Sequence, residues 1–89
     1  MTLREIILAF LAARYPAAFP TLAITARING TGLQDTPISN EMVQAELQIL
    51  ARKFEFVTAE TDNLTGAIAW SATTSGIREW HISGQLHVG

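Results

Sequence analysis

Asn40, Gln44 and Gln48 stand four residues apart, and Arg52 continues the row. On a helix that spacing makes one polar stripe. A carboxamide carries donors and an acceptor together, so the stripe can hydrogen-bond a ligand or simply hold water on an exposed face. The other reactive groups form weaker patterns. His81 and His87 are six apart with Glu79 as their one close carboxylate. A metal needs convergent spacing and further ligands, so these read as ordinary polar or partly packed histidines. The chain has no cysteine, which removes disulfide scaffolds, cysteine-based zinc sites and thiol catalysis together. Serines and threonines are plentiful, yet no nucleophile elbow or convincing Ser, His and Asp arrangement appears. Gly30-Thr31-Gly32 reads as a short turn without the lysine of a phosphate loop, and Glu60 and Asp62 sit beside a predicted hairpin tip where solvation suits them. The expected chemistry is binding, not catalysis, with no metal and no small-molecule cofactor.

Composition narrows the setting. Eighty-nine residues, 48% hydrophobic and 16% charged with a formal charge of −2, are expected to form a single domain over residues 1–89. A chain this size hides about two-thirds of its unfolded surface, which argues against a second domain, a deep two-lobed cleft and a large cofactor site. Apolar, nearly neutral composition excludes disorder, and the absence of cysteine points to the cytoplasm. The apolar run from Ile6 to Ala13 is far short of the ~20 residues that span a bilayer. No membrane partner is expected, and Glu5 beside Arg4, with Arg14 closing the run, speaks against a signal peptide. Asn29-Gly30-Thr31 and Asn63-Leu64-Thr65 match the glycosylation acceptor pattern but read as turns.

The elements that must position these groups follow from capping and periodicity. Thr2-Leu3-Arg4-Glu5 has the form of a capping box, predicting a helix over about 2–15. Leu3, Ile6, Ile7, Phe10 and Leu11 supply its buried stripe, and Leu8, Ala9, Ala12 and Ala13 leave its far side almost uncharged, so both sides should be covered. A second helix is predicted over 21–29, led in by Phe19 and Pro20 and left through Gly30. Ser39 caps a third over 39–53, with Ile38 stapled onto Val43. Its core face is Val43, Leu47 and Leu50, helped by Met42 and Ile49. A hairpin over about 56–73 follows, its five-residue loop running from Asp62 to Gly66. In the segment 74–89, Thr73 to Gly76 makes a turn or cap, and Ile77 to Ile82 reads equally as a short helix or a third strand.

Three helices followed by a hairpin resemble the winged helix-turn-helix superfamily, an α+β fold with a C-terminal β-hairpin wing. Ile38 to Val57 resembles that family's recognition helix running into the first wing strand. Trp70-Ser71-Ala72-Thr73-Thr74-Ser75-Gly76-Ile77 resembles the second strand and the threonine-x-x-glycine step that follows it. The likeness covers roughly residues 3 to 82 and implies that the third helix enters a DNA major groove. Asn40, Gln44 and Gln48 would then face bases, their amides suiting adenine. Arg27, Arg52 and Lys53 would touch phosphates, and Trp70 would anchor the wing to the core.

Two features depart from that pattern. The wing from Phe56 to Thr73 contains Glu60 and Asp62 and no lysine or arginine, while Glu41 and Glu46 lie on the recognition helix. Phosphate contacts normally supply much of the affinity. Leu8, Ala12 and Tyr15 on the first helix, with Trp80, Ile82, Leu86 and Val88, also exceed what a small core needs. Either a second copy or a protein partner covers them, or the C-terminal segment folds back over the first helix. The resulting reading is a DNA-binding regulator acting as a homodimer, with a protein-interaction module of the same fold as the alternative.

Overall fold

Thr2 and Glu5 start the first helix as their spacing predicts. The Thr2 hydroxyl accepts from the Glu5 backbone N–H at 3.2 Å, and the Glu5 carboxylate accepts from the Thr2 backbone N–H at 3.0 Å. A computed structural model describes residues 2–32 and 36–88, with 83–88 described by their backbone alone. Among these residues the chain forms α1 (Leu3–Ala13), β1 (Phe19–Pro20), α2 (Thr21–Thr31), α3 (Asn40–Arg52), β2 (Val57–Thr61), β3 (Ile68–Ala72) and α4 (Thr74–Val88). None of the described helices is long and apolar enough to cross a membrane.

Helix α1 is apolar nearly all round because α2, α3, α4 and β3 all pack against it. Ile6, Ile7, Leu8, Leu11 and Ala12 are buried, with Leu3 and Phe10 packed at the edge. Leu8 and Ala12, expected on a partner surface, are 7% and 8% exposed, so the chain covers them itself. Trp80, from the same expectation, packs against the core from α4.

The C-terminal segment is helical, which decides between helix and strand and places the hairpin inside the chain, not at its end. Thr73 organises the start of α4. Its hydroxyl donates to the Glu55 carbonyl at 2.7 Å and accepts from the Gly76 N–H at 3.1 Å. A Cβ at residue 76 would overlap the Phe56 carbonyl oxygen. The threonine-x-x-glycine step is therefore a joint that seats α4 against the entry to the wing.

Helix α2 runs past the expected exit at Gly30 and leaves through Gly32, whose φ is 72°. Asn29 lies inside α2, as the helix over 21–29 predicts, and its amide clasps the chain ahead of α3. Its Oδ1 accepts from the Ile38 N–H at 2.9 Å and its Nδ2 donates to the Ile38 carbonyl at 3.1 Å. Residues 33–35 of the intervening loop lie outside the described residues. Ser39 caps α3 as predicted, accepting from Met42 at 3.2 Å, and Ile38 and Val43 are both buried. Val43, Leu47 and Leu50 form the core face, but Met42 turns out to solvent, 50% exposed.

The sheet is antiparallel in the order β1-β3-β2. Strand β1 was not predicted. It pairs Phe19 with Trp70, and the Phe19 ring meets Phe10 edge-on at 5.2 Å. Val57, Trp70, Ser71 and Ala72 bury the base of the hairpin, whereas residues 58–68 are exposed and form the wing. Its loop runs from Asp62 to Ala67, where the Asp62 carboxylate accepts from the Leu64 N–H at 2.8 Å and Gly66 takes φ 74°.

Candidate nucleic-acid interface

With Val43, Leu47 and Leu50 turned inward, α3 presents Asn40, Gln44, Gln48 and Arg52 on its other side. Asn40, Gln48 and Arg52 are exposed and Gln44 is half-buried. The three amides line an open groove of about 650 Å³ together with Glu41 and Ala45. Thr21 and Leu22, at the start of α2, form the opposite wall. The predicted amide row is thus brought together along one surface.

A relay of hydrogen bonds fixes one of these amides. The buried Trp70 indole N–H donates to the Thr21 hydroxyl at 3.1 Å, and that hydroxyl donates to Gln44 Oε1 at 2.6 Å. Trp70 anchors the wing base to the core and also to the groove. Glu46 is turned away from the groove. It pairs with Arg4 of α1 at 2.7 Å, with the side chains 26% and 39% exposed respectively. Of the two glutamates on α3, Glu41 alone lines the groove.

The cations are dispersed. Arg52 and Lys53 are exposed at the end of α3, with the Lys53 ammonium 5.5 Å from the Phe54 ring centre. Arg27 does not join them. It lines a separate cleft with Arg14, Phe10 and Trp80, because its position on α2 faces α1 and α4. Arg14 there lies 4.1 Å over the Phe10 ring and donates to the Phe10 carbonyl at 3.2 Å. At the wing, Leu64 is 96% exposed.

Tyr15 and Ile82, from the expected partner surface, are about half exposed. Leu86, Val88 and His87 lie outside the residues whose side chains are described. His81 is exposed beside the Trp80 ring. Among the described residues no three metal-binding side chains gather.

The sequence reading missed Thr21, Leu22 and the Arg4–Glu46 pair. Thr21 follows Pro20 at a helix start, a position that carries no signal of a side-chain role beyond the helix. Arg4 and Glu46 are 42 residues apart, so no local pattern joins them.

No family model matches the chain, and no curated protein matches it. A solved structure of ZitR from Lactococcus lactis, in a single-residue mutant form, aligns with it at a TM-score of 0.69 and 18% identity. The alignment covers 98% of this chain and 53% of that one, so this chain spans about half the length of that protein. At this identity the likeness is one of fold: the chain has the α+β winged-helix architecture.

Proposed function

We propose that this chain is a small, non-enzymatic winged-helix binding domain that sets α3 against duplex DNA and serves transcriptional regulation as a cytoplasmic homodimer. The observation that carries this reading is the outward amide row on α3, with Glu46 on the other side of the helix paired to Arg4. Asn40, Gln44 and Gln48 meet base edges, and Arg52 and Lys53 meet phosphates. Helix α2 has Pro20 at its N-cap and no side-chain capping bond, so its first-turn N–H groups can add phosphate contacts that the scarce cations do not supply. Tyr15 and Ile82 are the exposed apolar residues that a second copy would cover.

One observation favours a second reading, a winged-helix module that binds protein. The wing lacks lysine and arginine and exposes Leu64 almost fully. Titration against mixed-sequence duplex DNA at low and moderate salt, alongside the mass in solution, separates the two. The DNA reading expects affinity that falls with salt, a roughly tenfold loss for Gln48→Ala, and for Arg52→Ala a uniform loss with a salt slope shallower by about 1. Absence of binding at low salt, with a stable dimer or a captured protein, overturns it in favour of the second reading.

A further inference from the structure

We infer that Gln44 is a reading head that turns its amide nitrogen to the groove, set by the Trp70–Thr21 relay to select guanine over adenine in a G·C pair; the inference rests on the DNA-binding reading above. An indole N–H can only donate, so the Thr21 oxygen accepts from Trp70 and its single proton is free to go to Gln44. The 2.6 Å separation is that of an O–H···O bond, with the Thr21 hydroxyl donating to Gln44 Oε1. The amide oxygen therefore faces Thr21, and Nε2 is the group left for the groove.

That orientation changes what Gln44 can read. A carboxamide with both functions available matches adenine, which shows an acceptor at N7 and a donor at N6. With its oxygen drawn to Thr21, Gln44 turns its Nε2 donors to the groove. Guanine shows two major-groove acceptors, N7 and O6, whereas the adenine N6 amino group would oppose a donor with a donor. Glu41 lines the same groove, and a carboxylate there accepts from cytosine N4. Donor and acceptor together complement the edge of a G·C pair. Among the described residues nothing comparable holds the amides of Asn40 and Gln48, which keep both functions.

The test selects duplexes from a randomised library with the wild-type chain, Thr21→Val and Thr21→Ser, with thermal unfolding of each protein. The wild type is expected to prefer guanine over adenine at one position by roughly tenfold. Thr21→Val should cut that preference to about threefold or less with an unchanged salt slope, and Thr21→Ser should keep it. A merely structural role for Thr21 would alter stability or overall affinity and leave the base preference alone. Replacing the selected guanine by 7-deazaguanine removes the N7 acceptor and should weaken wild-type binding, a readout that needs no variant to fold. A wild-type preference for adenine, an undiminished guanine preference in folded Thr21→Val, or indifference to 7-deazaguanine overturns the inference. Failure of the wild type to bind any duplex at low salt overturns the DNA reading itself and is recognised before a variant is made.

Discussion

A methyl group at residue 76 has nowhere to go, because a Cβ there would overlap the Phe56 carbonyl and lie 2.9 Å from its carbon. Both are backbone atoms, so relief requires α4 to move away from the wing base. Gly76→Ala should cost about 2–3 kcal/mol in urea unfolding, the upper part of the overpacking range; a change below about 0.5 kcal/mol, on the order of ordinary surface substitutions, would show that α4 does not bear on the wing base at residue 76. Asn29 offers a second test. Asn29→Ala loses both bonds to Ile38 and should cost about 2 kcal/mol, whereas Asn29→Asp keeps the acceptor but sets a carboxylate oxygen against the Ile38 carbonyl in the last turn of α2 and should cost at least as much at neutral pH. An Asn29→Asp loss well below that of Asn29→Ala in thermal unfolding at neutral pH would refute the donor half of the clasp. The caps at Thr2 and Ser39 were legible in sequence because a cap and its partner lie within one helical turn. The clasp made by Asn29 was not legible because its partner Ile38 lies beyond the loop, and the role of Thr21 was not because its partners belong to other elements.

At the scale of elements, the face of α3 depends on α1. The Arg4–Glu46 pair ties the two helices and neutralises a glutamate that the helical spacing already sets on the side away from Gln44 and Gln48. Since both side chains are partly exposed, a double-mutant cycle with Arg4→Ala and Glu46→Ala should give a coupling of about 0.5 kcal/mol that shrinks in high salt. Coupling indistinguishable from zero at low salt would mean that the pair does not position α3. The wing poses the opposite problem, because it projects without a cation. If it lies near a DNA backbone, Glu60→Lys should strengthen binding several-fold and steepen the logarithmic salt slope by about 1. Identical salt slopes for this variant and the wild type would place the wing away from phosphate. The periodicities of α1, α3 and the hairpin were legible because each buries one face. Strand β1 was not, since two residues have no period and Phe19–Pro20 is extended through its pairing with β3.

For the whole molecule, the distribution of charge sets the salt dependence. Arg4 is committed to Glu46, Arg14 and Arg27 line the other cleft and Arg78 is exposed on α4, which leaves Arg52 and Lys53 as the exposed cations at the end of α3. The expected slope of log K against log salt is about −2 per bound chain; a slope of about −6 or steeper would require phosphate contacts that this arrangement does not provide. The sequence by itself determined the helix–helix–helix–hairpin order, the core stripes, the helix caps and the absence of cations from the wing. These are matters of local spacing and residue type. Tertiary structure alone decided that α4 follows the wing, that the chain itself buries Leu8 and Ala12, that Glu46 turns to Arg4, that Arg27 leaves the α3 face, and that Thr21 holds the Gln44 oxygen. Each depends on side chains from separate elements meeting in space, and chain spacing does not encode such meetings until the core has packed.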